Sequence, residues 1–285
     1  MQGKIIRTIW ITACMLLFGI AAGFLFINTQ IGRSYIVRNN ATRISKTLTA
    51  AEAQKNQKAS TSYDASKTRS VSAEQLLRAS KYEAFPIGRM SIPVVNTHNP
   101  VFNGFGTQNQ NLSFGVCTVI PDRKLGGDNN YVLAGHYMGN YGPAVLDNIH
   151  LLHNGDHIYV TNLQKIYVYK VTKLYLALKP TQVSVENNIG KQSLITLITC
   201  SDFNQTKYGL GKHRTVVQGR LQRTYPATEN NLIRYELSSE IVKKTVHRRS
   251  GTTKLNNINF SEICAAFAIV WVLIWAWLLI RVWKR

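Results

Sequence analysis

An all-β fold, barrel or sandwich, is the class this chain predicts, set between two apolar terminal segments. Three observations carry that expectation. Short β-branched and aromatic runs recur through the middle of the chain, the clearest being Ile166-Tyr167-Val168-Tyr169-Lys170-Val171-Thr172-Lys173-Leu174-Tyr175. Turn signals separate such runs about every ten residues: Asn99-Pro100, Asn103-Gly104, Gly126-Gly127-Asp128 and Asn154-Gly155-Asp156. No long helical pattern interrupts them, which is the signature of many short strands closing on one another.

Taken in order, the chain opens with Lys4 and Arg7 and then runs uncharged from Thr8 to Ile27. That is long enough to span a bilayer, which takes about 20 apolar residues. A cleaved signal peptide has a core of about 7–15 residues and a small-residue cleavage site. This core is longer, and Asn28-Thr29-Gln30 is no such site, so the stretch reads as an uncleaved anchor. A polar segment follows over 31–83, with helix formers around Ala50–Ala53 but no sustained apolar face; it reads as a stalk, part helical and part disordered. Within it, Ser72 to Tyr82 predicts a short helix capped by Ser72, with Leu76 and Leu77 on its apolar edge.

The compact domain is expected over 84–224, from Ala84-Phe85-Pro86-Ile87-Gly88, with strands around Met90–Val95 and Tyr131–Ala134 and one or two helical turns over Val145–Leu152. Past Leu221 the β pattern stops, and 225–259 reads as a basic polar linker. The last segment, 260–285, holds a second span from Ile263 to Ile280 with Trp271, Trp275 and Trp277, ending in Arg281, Lys284 and Arg285. Two spans place both termini on one side of the membrane and the domain on the other. Lys and Arg counts on the inner flanks, Arg33 to Lys46 and Lys243 to Lys254, taken literally hold the domain in the cytosol. That rule weakens for loops beyond about 60 residues, and the motifs below place the domain outside.

Lys and Arg number 34 against 14 Asp and Glu, a net charge of +20. No nucleic-acid-binding motif accompanies the charge, which spreads over linkers and core alike; anionic lipid and acidic wall polymers are the better match. Of four cysteines, Cys14 and Cys264 lie in the spans, leaving Cys117 and Cys200. That is too few for a disulfide framework. A Cys117–Cys200 bridge is open on sequence alone, and it would consume the one thiol with catalytic surroundings.

That thiol ends Thr196-Leu197-Ile198-Thr199-Cys200. Upstream, Tyr131-Val132-Leu133-Ala134-Gly135-His136 ends on a histidine, and downstream Arg214 opens Arg214-Thr215-Val216-Val217-Gln218-Gly219-Arg220-Leu221. A cysteine needs a base or cationic neighbour to act as a nucleophile. His136 suits the base toward the thiol and the acid toward a leaving amine, and Arg214 suits a donor to an oxyanion. By residue type alone the blander alternative stands beside this: a small core cysteine and an exposed strand arginine.

The strings themselves closely resemble the sortases, membrane-anchored cysteine transpeptidases of Gram-positive bacteria. T-L-x-T-C is matched at Thr196–Cys200, the histidine after L-A-G at His136, and R-x-V-V-x-G at Arg214–Gly219. The similarity runs from about Phe85 to Leu221, and includes Asn130-Tyr131, Asn148-Ile149 and Asn154–Val160. It implies a closed eight-stranded barrel with short helices, and cleavage of an L-P-x-T-G signal after its threonine. It casts Cys200 as the nucleophile forming a thioacyl intermediate, His136 as acid/base and Arg214 as oxyanion and substrate stabiliser. Thr199, Leu210 and Gly211 become substrate-binding positions, the last two in a loop spanning 201–213. Implied partners are L-P-x-T-G surface-protein precursors, a peptidoglycan-precursor amine and the bilayer, with no nucleic acid. No organic cofactor is required. Some members bind calcium between surface loops, which makes Asp122, Asp128 and Glu186 the candidate ligands here.

The strings are nearest the class A housekeeping type, which usually has only the first span. Pilin-polymerising members often have the second span but carry an Asp-Pro-aromatic lid, and none occurs between Ile31 and Met90. A pilin-polymerising enzyme is therefore the second reading, and a non-catalytic cationic wall-polymer binder is the rival from another class. His150, His153 and His157 do not suggest a metal site, because Asn154-Gly155 breaks any helix joining them and no acidic or cysteine partner completes the set. His213 lacks the upstream string, and Tyr167, Tyr169 and Tyr175 read as cross-strand packing.

Overall fold

The computed structural model describes residues 1–68, 71–79, 81–139, 145–201, 211–238, 249 and 260–284. Its centre is a closed β-barrel, as the strand pattern and the family resemblance lead one to expect. The strands are β1 (Pro86–Ile92), β2 (Thr97–Phe102), β3 (Val116–Thr118), β4 (Asn130–Ala134), β5 (His157–Thr161), β6 (Lys165–Leu178), β7 (Leu194–Cys200) and β8 (Arg214–Pro226). Around the barrel they run β1-β2-β3-β4-β7-β8-β6-β5, and β5 pairs back onto β1. Closure leaves no free edge to template aggregation. Two pairs are parallel, β2 with β3 and β4 with β7; the remainder are antiparallel.

Alternation along the strands fills the barrel. Met90 and Ile92, Leu133, Ile158, Tyr169, Ile195 and Leu197, and Val217 form one buried core with Leu146, Ile149 and Leu152 from the segment after β4. Each such side chain contributes about 1.5–3 kcal/mol when taken fully out of water. Tyr169, the middle tyrosine of the stripe, is buried and accepts a hydrogen bond at its hydroxyl from the Gly126 N–H at 3.0 Å. The outer face of β7 is covered too: Thr196 donates to Asn130 Oδ1 at 2.7 Å, and Asn130 Nδ2 donates to the Val185 carbonyl at 2.9 Å. The expected turns over Val145–Leu152 are present, with one 3-10 turn at Ile149–Leu151.

The polar segment 31–83 is not a free stalk. α1 (Gln2–Asn28) is followed by α2 (Gln30–Thr47), α3 (Ala50–Asn56) and α4 (Ala73–Ala79). Gly32, Ser34, Val37 and Ala41 of α2 are buried, and Val37 belongs to the main core. Arg33 is buried beside them, and the rest of this face is small residues, which let the helix lie close without a broad apolar stripe. Arg89 of β1 donates to the carbonyls of Ser45 and Leu48, within and just beyond the last turn of α2, at 2.5 and 2.9 Å. α3 carries a reciprocal Thr49–Glu52 capping box, and Ser72 Oγ caps α4 through the Gln75 N–H at 3.1 Å.

The expectation of a linker directly after Leu221 also needs correction. β8 runs on to Pro226, and α5 (Glu229–Arg234) turns Leu237 onto Ile166 and Val168, with Tyr235 stacked on Tyr159 and Tyr225. The aromatic and aliphatic residues there are spaced for a short strand end and one helical turn, too brief for a periodic signal. Finally, α1 and α6 (Phe260–Lys284) are long and apolar enough to cross a membrane. They lie side by side: Trp283 Nε1 donates to Thr8 Oγ1 at 3.2 Å, Trp275 Nε1 to Thr12 Oγ1 at 3.3 Å, and Phe18 stacks on Trp271.

Candidate active site

β7 has a parallel neighbour on one side and an antiparallel one on the other, and that arrangement gathers the site. Ala134 pairs with Ile198 in the parallel β4–β7 ladder, and the Gly135 N–H extends it to the Ile198 carbonyl at 3.1 Å. β4 ends at Ala134, and the same register carried two residues past it runs His136 toward the Cys200 end of β7. On the other side Cys200 pairs directly with Arg214, the first residue of β8. Cys200, His136 and Arg214 thus meet at one rim of the barrel, all three partly accessible to solvent.

Two contacts lock the parallel register at this rim. Thr199, itself buried, donates its hydroxyl to the Gly135 carbonyl at 2.8 Å, tying the residue before the cysteine to the residue before the histidine. Gly135 has no room for a side chain: a Cβ there meets Val145 Cγ1 at 2.6 Å and Leu146 Cγ at 2.9 Å. Burial of the ring pushes His136 down to about 4, so its imidazole is neutral at neutral pH and able to accept a proton. Arg214 donates to the carbonyls of Gly211 and His213 at 2.6 and 3.0 Å, and the Ser201 N–H donates to the His213 carbonyl at 3.2 Å. Gly211 is therefore part of the rim through its backbone. Leu210, expected beside it, lies outside the described residues.

Cys117 and Cys200 are both free thiols. Cys117 is fully buried among Phe102, Phe105 and Phe114, and burial pushes its thiol well up, the opposite of activation. Among the described residues no three His, Cys, Asp or Glu side chains gather as a metal site. Asp122 and Asp128 are exposed, while Glu186 is half-buried, its carboxyl raised by burial. Arg123, next to Asp122, donates to the carbonyls of Asn130 and Glu186 at 2.7 and 2.5 Å. His150 turns its Nδ1 to the Asp147 carbonyl and His157 stacks near Tyr159, so these histidines serve local structure.

Sequence reasoning missed the wall behind His136. Val145, Leu146, Asp147, Asn148 and Ile149 are all buried, and Val145 holds a left-handed φ of 46°, rare for a β-branched residue. Asn99 donates to the Val145 carbonyl at 2.8 Å and Asn148 to the Val95 carbonyl at 3.0 Å. The sequence offered helical turns over Val145–Leu152 and the family-like Asn148-Ile149, and Asp147-Asn148 stood as polar residues among apolar neighbours, but nothing in it showed that they back His136.

The sortase-domain family model matches residues 90–222, the span of the barrel from β1 to β8. A sortase A of Streptococcus agalactiae serotype III (strain NEM316) is 33% identical over 222 residues, covering 75% of this chain and 85% of that protein. A sortase A of Listeria monocytogenes serovar 1/2a is 32% identical over 186 residues, covering 63% of this chain and 77% of that one. Among solved structures, the Listeria monocytogenes sortase A is 34% identical, covers 54% of this chain and 98% of its own, and superposes with a TM-score of 0.47. The chain belongs to the sortase family, a family of transpeptidases of the Gram-positive cell surface. Within that family both of the relatives just described are sortase A proteins.

Proposed function

We propose that the protein is a cell-surface sortase that cleaves an L-P-x-T-G-type signal between threonine and glycine and passes the acyl group to a cell-wall precursor amine. The observation that carries this reading is the meeting of Cys200, His136 and Arg214 at the ends of three neighbouring strands. Cys200 Sγ attacks the threonine carbonyl carbon as His136 takes the thiol proton. The carbonyl oxygen becomes an oxyanion, to which the Arg214 guanidinium donates. Collapse of the tetrahedral species expels the glycine amine, which receives the proton from His136 and leaves a thioester. The incoming amine then attacks the thioester, yields a proton to His136, and the thiolate leaves and is reprotonated. The cycle closes in protons without metal or organic cofactor. Leu176, on β6 two residues before the partner of Arg214, is exposed and offers apolar surface to the signal's leucine and proline.

In this reading α1 and α6 cross the membrane as an antiparallel pair, both termini cytoplasmic and the barrel outside. α6 also suits a pilin polymerase, whose acceptor would be an amine carried by a protein, such as a lysine side chain. Full-length protein in detergent micelles, given a fluorogenic L-P-x-T-G peptide with triglycine or a lysine peptide, distinguishes the two. Cleavage and ligation to triglycine, lost in Cys200→Ala and unchanged by EDTA, are expected. Ligation only to the lysine peptide assigns the polymerase, and cleavage that survives Cys200→Ala overturns the proposal.

A further inference from the structure

We propose that Asp147 is the positioning residue for His136, acting through the segment that joins β4 to β5 and not by touching substrate. The inference deepens the catalytic reading above and rests on it for the role of His136. Asp147 is 1% exposed, one of the few ionisable side chains sunk into the barrel wall. A carboxylate so placed is costly unless hydrogen bonds satisfy it. Its Oδ1 accepts from the Met138 N–H at 2.5 Å, two residues past His136. One residue earlier, the Leu146 N–H donates to the carbonyl of His136 itself at 3.3 Å. Two bonds thereby tie the chain leaving His136, at its own carbonyl and at the Met138 N–H, to Leu146 and Asp147 on the returning leg.

The returning leg is in turn immobilised from outside. Asn99 of β2 holds the Val145 carbonyl, Asn148 reaches the Val95 carbonyl, and the Asp147 carbonyl meets His150 Nδ1 at 2.8 Å. After burial, Asp147 is the next cause raising the Tyr137 hydroxyl, on the residue beside His136. Without the Met138–Asp147 bond, the backbone just past the histidine loses that side-chain tie to the returning leg and keeps the longer Leu146–His136 bond beside the β4 ladder. A general base must stay within hydrogen-bond reach of its proton, and misplacement of about 1 Å costs on the order of a hundredfold.

The test uses full-length protein in micelles carrying Asp147→Leu, which removes the acceptor at similar volume, and Asp147→Asn, which keeps an oxygen acceptor without the charge. Peptide cleavage is read as kcat and KM, beside thermal melting. Expected for Asp147→Leu is a kcat loss of tenfold or more with KM within twofold; Asp147→Asn recovers to within about threefold of wild type. Unchanged kcat in Asp147→Leu, or equal losses in both variants, overturns the proposal. If Asp147→Leu does not melt cooperatively, Asn99→Ser decides, since it frees only the Val145 carbonyl: a kcat loss at constant KM supports the wall's role, and wild-type kcat refutes it. If the wild type cleaves no peptide, the reaction assigned above falls, and alkylation of Cys200 by iodoacetamide reads Asp147 separately. Asp147→Leu should then move the rate in the same direction as His136→Asn while Asp147→Asn does not; no such parallel overturns it.

Discussion

Replacing His136 by asparagine removes a base that the folded chain holds at about 4, against 6.5 for an ordinary histidine. The difference of about 2.5 units corresponds to about 3 kcal/mol at 1.36 kcal/mol per unit. This is a ceiling, because His136 keeps part of its surface at solvent. The sign follows from which state binds the proton. Between pH 6.5 and 4 the unfolded chain takes up a proton that the folded chain refuses, so stability falls as pH falls. The stabilisation is whole above pH 6.5, declines through that window, and levels off below pH 4. Denaturant unfolding of wild type and His136→Asn in micelles, at intervals from pH 8 to pH 4, isolates the effect, since every other titrating group is common to both. The variant's stability relative to wild type should rise on acidification by up to about 3 kcal/mol. A difference that stays constant within about 0.5 kcal/mol from pH 7 to pH 4 refutes a desolvated His136. The same placement keeps the free enzyme's base neutral down to about pH 5, so the acid limb of kcat/KM should fall well below 6.5.

Two further substitutions probe the framework. Gly135→Ala drives a Cβ to 2.6 Å from Val145 Cγ1 and 2.9 Å from Leu146 Cγ, both buried side chains. Overpacking of this kind costs about 1–3 kcal/mol; a lowered melting temperature with a sharply reduced kcat is expected, and wild-type values for both would show that the wall yields. Arg89→Met keeps the buried stem but strips donors from the carbonyls of Ser45, Leu48 and Leu237. Orphaning buried acceptors costs about 1–3 kcal/mol each, so limited proteolysis should cut between α2 and α3 faster than in wild type, and unchanged cleavage would mean that the small-residue face of α2 holds the helix alone.

What the sequence disclosed was whatever carries a local signal. β6 and β7 are dense in β-branched and aromatic residues, and turn residues bracket each strand, so the barrel was legible. The three site residues were legible because each ends a recognisable string. α2 was not: its buried Gly32, Ser34, Val37 and Ala41 give close packing without a hydrophobic stripe, and its end is held by Arg89 from 41 residues further on at Leu48. α5 is a single turn whose purpose, seating Leu237 on Ile166 and Val168, exists only after β5, β6 and β8 have paired. Asp147 is ordinary in sequence and consequential only by burial. The capping box Thr49–Glu52 could have been read, since Glu stands three residues after Thr.

The site's composition from three strand ends follows from the mixed sheet. A parallel neighbour ends at the same rim as its partner, and an antiparallel neighbour begins there. β7 has one of each, so the chain leaving β4, the chain leaving β7 and the chain entering β8 all pass the same few ångströms. A purely antiparallel meander would instead bring one strand end and two strand starts to that rim. The cost is dependence on register, because a one-residue slip turns a side chain to the opposite face. β4 and β7 are joined by no tight turn that sets their alignment; 59 residues separate Ala134 from Leu194. Alignment must come from side chains, and the Thr196–Asn130 bond at one end of the ladder and the Thr199–Gly135 bond at the other supply it. Both threonines of the Thr196–Cys200 string therefore have a structural task that the cysteine's chemistry requires: they hold the parallel pair in the one register that sets His136 beside Cys200.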